Sequence, residues 1–253
     1  MTWLAALFAL TALLYAMVGF GGGSTYNALL VLAEVDYRLL PSIALVCNLI
    51  VVGGGAWRYA RAGHLDARFV APFVLLSMPM AWLGGRLPIG RETFVLLLGL
   101  ALLAAGLLML FERREAAAAS PRRTPGQFAL ALALGAGIGL LSGLVGIGGG
   151  IFLAPLLHTL RLATPKAIAA TASVFILLNS LAGLAGQAAK LGGLDHAGEL
   201  LVWWPLFLAV LAGGQLGSWL GAGRFSERTV KRLTAVLVLY VAGRLLWQWA
   251  QGT

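Results

Sequence analysis

The sequence predicts an all-α polytopic membrane protein made of two inverted repeats, each with four long helices and one short, broken helix. Three observations carry the prediction. Of 253 residues, 60% are hydrophobic and 11% are charged, against about 25% charged in an ordinary soluble domain. Apolar runs of about 20 residues or somewhat fewer, the length that spans a hydrocarbon core, recur along the chain. A glycine cluster followed by an apolar run too short to span occurs twice, 127 positions apart.

In chain order, the apolar runs between charged or Gly/Pro-rich breaks fall at 3–18, 24–33, 41–58, 68–86, 92–111, 127–145, 151–161, 165–187, 200–220 and 229–250. The first is preceded by Met1-Thr2 with no positive residue, so the mark of a cleaved leader is missing and the run is expected to stay in the mature protein. Runs 24–33 and 151–161 cover roughly 15 Å at about 1.5 Å per residue, half of a hydrocarbon core about 30 Å thick. They follow Gly19-Phe20-Gly21-Gly22-Gly23 and Gly146-Ile147-Gly148-Gly149-Gly150.

Other landmarks recur at nearly the same separation. Asn48 matches Asn179, Gly63-His64-Leu65-Asp66 matches Gly192-Gly193-Leu194-Asp195, and Pro72 matches Pro205. Trp82-Leu83-Gly84-Gly85-Arg86-Leu87 matches Gln215-Leu216-Gly217-Ser218-Trp219-Leu220. The expected division is a first membrane repeat over 1–111, a joining loop over 112–126 and a second repeat over 127–253.

The net charge of +9 does not indicate a nucleic-acid partner, because the basic residues sit in short loops between apolar runs. There they set orientation in the lipid bilayer. If both short runs carry the chain across, thirteen of the eighteen Lys and Arg residues fall on one face, from the groups at 58–68, 113–123, 161–166 and 224–232. Re-entrant short runs would divide them nine against nine. The positive-inside rule selects the uneven division, which puts both termini outside and the joining loop in the cytoplasm of an inner-membrane protein. Five crossings per repeat is an odd number, so the second repeat is inverted.

A run of glycines breaks a helix and bares backbone N–H groups that lipid cannot satisfy. The glycine clusters are therefore expected to face a protein-lined cavity. Each starts a short helix whose N-terminus carries partial positive charge and suits an anion. An inverted repeat brings two such ends together at membrane depth. The candidate substrate site is thus Gly21, Gly22 and Gly23 with Gly148, Gly149 and Gly150. Hydroxyls and amides of Ser24, Thr25, Asn27 and Asn48 from one half, and of Thr171, Ser173 and Asn179 from the other, would complete it. All nine acidic residues fall at run ends or in loops, whereas a cation carrier ordinarily buries a carboxylate. A small anion is the expected cargo.

Other chemistry finds little footing. His64, His158, His196 and the single Cys47 show neither metal-ligand spacing nor a nucleophile–base pattern. No cofactor, metal or catalytic residue is expected, and a membrane-embedded enzyme or assembly partner is the alternative to a transporter. Cys47 reads as a small buried apolar residue, and Trp203, Trp204, Trp247 and Trp249 read as an interfacial belt. Oligomeric state is not readable.

At these residues the sequence resembles the sulfite exporter TauE/SafE family of bacterial membrane permeases. The resemblance rests on the two glycine clusters, each followed by a short apolar helix. It rests also on the small-polar stretch from Pro165 to Ser173 with Asn179, and on the Gly-x-Leu-Asp and Gly-x-x-Gly landmarks. It covers nearly the whole chain and implies transport of sulfite or organosulfonates. The first half departs from the second, with Leu45-Val46-Cys47 where the second half has its Thr and Ser positions.

Overall fold

The computed structural model describes residues 1–18, 20–111, 125–160, 162–192, 194–220 and 227–251. Among these there are helices and no strands. In order they are α1 (Thr2–Val18), α2 (Gly23–Leu32), α3 (Leu40–Arg61), α4 (Ala67–Arg86), α5 (Arg91–Phe111), α6 (Pro125–Val145), α7 (Gly150–Thr159), α8 (Pro165–Lys190), α9 (Leu194–Leu201), α10 (Trp204–Leu220) and α11 (Glu227–Ala250). Five of them, α3, α4, α5, α6 and α8, are long and apolar enough to cross a membrane, and α1, α7, α10 and most of α11 are shorter apolar helices. With lipid outside, a helix keeps every backbone hydrogen bond within itself, which is why apolar runs take this form.

Local chemistry sets the boundaries. Prolines open α3 at Pro41 and α8 at Pro165, where the missing N–H would be unpaired anyway. Thr164 caps α8 by accepting from the Ala167 N–H, and Asp66 caps α4 by accepting from the Arg68 and Phe69 N–H groups. Gly63 and Gly192 follow the ends of α3 and α8 with φ of +70° and +88°, the left-handed stop that suits glycine. The first glycine of each repeated Gly-x-Leu-Asp landmark therefore ends the third helix of its half.

One boundary differs from the sequence expectation. The run expected over 200–220 starts as a helix only at Trp204, and α9 is a separate eight-residue helix before it. Pro205 has no N–H to donate back to Leu201, and two turn residues, Val202 and Trp203, separate α9 from α10.

Helix pairing is set by glycine. Gly135, Gly139 and Gly143, four apart on α6, press against the backbone carbonyls of Phe73, Ser77 and Ala81, four apart on α4. Gly85 of α4 meets Gly183 of α8 in the same way, and Gly186 meets Trp82. Such close approach is possible only without a side chain, and dispersion then holds the helices together. Gly217 of α10 lies on the Leu13 carbonyl of α1, and Gly84 of α4 lies on the Leu140 carbonyl of α6. Since Gly84 matches Gly217 and Leu13 lies 127 positions before Leu140, one contact is made twice, each time between the two parts of the chain.

Two apolar cores fill the interior. The larger joins Phe8, Tyr26, Leu98, Leu102 and Val238, with Phe8 stacked on Tyr26 at 4.8 Å between ring centres. The smaller joins Phe73, Leu153, Leu157 and Phe175. Large apolar side chains cover the outside as well, among them Leu100, Leu208, Leu211 and Trp219, as suits a lipid-facing surface. Trp204, Trp247 and Trp249 are exposed at helix ends. Cys47 is fully buried.

Candidate functional site

The site is built where α1 and α6 stop. The Phe20 N–H still donates to the Tyr15 carbonyl at 3.0 Å, and Gly22 then turns the chain into α2 with φ +89°. In the second half Gly146, Gly148 and Gly149 have φ of +76°, +82° and +79°, and Gly149 starts α7. A side chain at any of these positions costs about 1–2 kcal/mol in the left-handed region. Neither Gly22 nor Gly149, the residues at the N-cap positions, has a side chain with which to cap its helix.

The two turns meet. A side chain on Gly23 would lie 2.6 Å from the Ile147 carbonyl oxygen. Between them sits the amide of Asn48, fully buried on α3. Its Nδ2 donates to the Ile147 carbonyl at 3.2 Å and occupies the space that side chains at Gly23 or Gly148 would need, 2.5 and 2.6 Å from their Cβ positions. Its Oδ1 faces Gly21. Asn27 makes a parallel link, its Nδ2 donating to the Val145 carbonyl at 2.7 Å. Two amides of the first half thus satisfy carbonyls freed where α6 breaks.

Beside this junction lies a small, partly open pocket lined by Tyr15, Phe20, Gly21, Gly22, Gly23, Ser24, Met109, Ile147, Ile151, Pro155 and Ile176. Bare backbone of the first cluster forms one side, and aliphatic residues around the second form the other. The family described as Sulfite exporter TauE/SafE matches residues 4–245.

The chain belongs to the TauE/SafE family.

It is accordingly a multi-pass membrane transporter. It is 35% identical to the "Probable membrane transporter protein y4hK" of Sinorhizobium fredii strain NGR234 over 246 residues, covering 96% of this chain and 97% of that one. It is 30% identical to a "Probable membrane transporter protein" of Xylella fastidiosa strain 9a5c, covering 92% of this chain and 93% of the relative. No solved structure matches it significantly.

In this TauE/SafE chain the residues expected at the site divide into groups. Gly21, Gly22, Gly23 and Ser24 line the pocket, and Asn48 lies against Gly21, Gly23 and Gly148. Thr25 pairs its hydroxyl with that of Tyr15 at 3.0 Å. Gly149 and Gly150 pack instead on Ile138, Phe175 and Ile176. Thr171, Ser173 and Asn179 turn back on their own helix, donating to the carbonyls of Ala167, Ala169 and Phe175, each at 2.8 Å. The structure therefore does not bring them to the pocket lining. Among the described residues, no group of three or more His, Cys, Asp or Glu side chains could hold a metal.

Sequence reasoning missed Ile176. Its side chain touches the space beside Gly21, Gly148 and Gly150 at once, wedging the two clusters. It also missed Ser180, whose buried Oγ has no hydrogen-bond partner among the described residues and lies 3.3 Å from the Cβ position of Gly148. Ile176 carries no sequence signal, whereas Ser180 follows directly on Asn179.

The junction makes a stability prediction. Gly21→Ala drives a methyl into the Asn48 amide, which is tied to the Ile147 carbonyl, and should destabilise by about 1–3 kcal/mol. Asn48→Ala should also destabilise, by about 1–3 kcal/mol, because a buried carbonyl loses its donor. The double variant should be more stable than the sum of the singles by about 1 kcal/mol or more. Thermal unfolding of the four proteins in detergent measures this, and strict additivity would show that Gly21 and Asn48 do not touch.

Proposed function

We propose that this chain is a secondary transporter of a small oxyanion, sulfite or an organosulfonate, in a bacterial inner membrane. The carrying observation is the meeting of the two glycine turns beside a pocket that includes the glycine-led start of α2. Backbone N–H groups and a helix N-terminus are what an anion needs in a medium without water. The family's description points to the same cargo.

In this reading residues 1–111 and 127–253 are inverted repeats joined by a cytoplasmic loop at 112–126, with both termini outside. Met109, in the last turn of α5 before that loop, lines the pocket, so the pocket lies toward the cytoplasmic side. Asn48 reaches across to the other half while its match, Asn179, bonds its own helix. Inverted repeats in two unlike conformations give alternating access. In the opposite state the roles exchange, and Asn179 reaches the carbonyl of Phe20, the match of Ile147.

Purified protein in liposomes should carry sulfite at a saturable rate, and a small organosulfonate should compete. Absence of flux for sulfite and for every small sulfonate tried would sink the reading.

A further inference from the structure

Two kinds of seam join the two parts of this chain, and only one kind is alike in both. Gly217 lies on the Leu13 carbonyl as Gly84 lies on the Leu140 carbonyl, so the pairing of α1 with α10 repeats that of α6 with α4. The third helix of each half makes the other kind. α3 and α8 run antiparallel, with Leu45 beside Gly183 at one end of the pair and Ser173 beside Gly55 at the other. Past that contact α8 meets α4, at Gly183 and Gly85, and α3 meets α10, at Val51 and Gly214.

The α4–α8 seam is shut. A side chain on Gly85 would overlap the Gly183 carbonyl, and one on Gly186 would overlap the Trp82 carbonyl. Gly186 lies seven residues after Asn179 as Gly55 lies seven after Asn48, and Trp82 matches Gln215. The equivalent contact would therefore set Gly55 on Gln215. It is not made. The nearest atom to a side chain on Gly55 is Ser173 Oγ of α8 at 4.0 Å, with nothing of α10 within that distance. Gly54 meets α10 only at the Gln215 amide nitrogen, 4.0 Å away, and Gly214 meets Val51 at 3.7 Å, an ordinary van der Waals distance. Gly183 and Gly186 are buried, whereas Gly54 and Gly55 are half-buried and Gln215 is exposed.

The sequence nevertheless keeps Gly53-Gly54-Gly55 inside α3. A glycine within a helix weakens it relative to alanine, and in lipid the usual compensation is close approach of a second helix. Here α3 carries the glycines without that approach.

Resting on the transport reading above, we propose that the α3–α10 seam is a moving gate: in the second state of the cycle Gly55 closes on α10 at Gln215, as Gly186 now closes on Trp82, while the α4–α8 seam parts. The two seams lie at opposite ends of the antiparallel α3–α8 pair, hence toward opposite faces of the membrane. Each state shuts one seam and opens its match, so the two states lie close in free energy and a bound anion tips them. The α1–α10 and α4–α6 pairs, already alike, move as rigid units.

Gly55→Ala tests the gate. Its methyl group meets only Ser173 Oγ at 4.0 Å in the present state, so the melting temperature in detergent should be no lower than that of the wild type. Closure on Gln215 would be overpacked, and sulfite flux in liposomes should fall about tenfold. Gly53→Ala is the control, since Gly53 points to the other side of α3 with nothing within 4 Å, and it should keep flux. A disulfide reads the same motion without cargo. In the double variant Gly55→Cys, Gln215→Cys, the bond needs Cβ atoms about 3.8 Å apart, closer than any atom of α10 now stands to Gly55. Cys47 is fully buried and does not compete. Oxidation should form the bond, stop flux, and be reversed by reductant.

Wild-type flux through Gly55→Ala overturns the proposal, as does an equal loss in Gly53→Ala. So does a folded double variant that forms no disulfide. If the wild-type protein carries no anion, the transport reading fails, and the disulfide alone then decides whether this seam closes.

Discussion

Gly22→Leu should abolish sulfite flux in liposomes, bringing it to the level of protein-free vesicles, and Gly149→Leu should do the same. Gly22 turns the chain at φ +89°, where a leucine costs about 1–2 kcal/mol of backbone strain. Its Cβ would meet the Tyr26 ring at 3.1 Å and the Thr11 methyl at 3.2 Å, so the side chain has no buried space to enter. Gly22 lines the pocket, which leaves the pocket as the way out. Either response damages the site: the leucine fills the pocket, or the start of α2 tilts and its N–H groups no longer converge. At Gly149 the obstacle is Ile138 at 2.7 Å and Phe175 at 2.8 Å, with φ +79°.

Gly243→Leu on α11 is the control, because a side chain there meets nothing within 4 Å. It should keep flux. Size-exclusion profiles separate lost folding from lost transport. Wild-type flux through well-folded Gly22→Leu would mean that the cargo passes elsewhere.

What the sequence revealed and what it withheld follow from the solvent. Apolar runs interrupted by charge or by Gly and Pro are visible because lipid demands unbroken helices. The starts at Pro41 and Pro165 and the stops at Gly63 and Gly192 are local chemistry. The α9–α10 break was not legible, because α4 carries Pro72 and Pro79 inside its helix while Pro205 sits beside a break. Proline alone does not distinguish the two.

The glycine clusters were legible because they occur twice, and their meeting followed from the inferred symmetry. The aliphatic lining was not. In water a helix shows its inner face by being apolar there, but a helix in lipid is apolar all round, so nothing marks Met109, Pro155 or Ile176 as inward. Nor could residue type show that Asn48 crosses to Ile147 while Asn179 turns back to Phe175. The same amide in matched positions bonds across the junction in one case and along its own helix in the other. That difference belongs to the tertiary arrangement.

The largest loss of stability should come from Gly143→Ala. Its Cβ would overlap the Ala81 carbonyl and lie 2.7 Å from the Gly85 nitrogen. Both are backbone atoms, so no rotamer change relieves the clash and α4 must move away from α6. Overpacking of this kind costs about 1–3 kcal/mol, a fall in melting temperature of roughly 2 to 12 °C for a chain of this size. Gly137→Ala on the same helix meets nothing within 4 Å and should be neutral or stabilising by up to about 1 kcal/mol, since alanine restricts the unfolded chain. Lipid tails are as apolar as leucine, so α4 and α6 are held by close approach and not by exclusion of water. A half-ångström gap already forfeits about a quarter of each atomic contact along the seam. Because α4 lies in the first half of the chain and α6 in the second, separation there loosens the joint that sets the two glycine turns against each other. Gly143→Ala should therefore lose flux as well as stability, and equal melting temperatures for the two alanine variants would show that backbone proximity does not hold this seam.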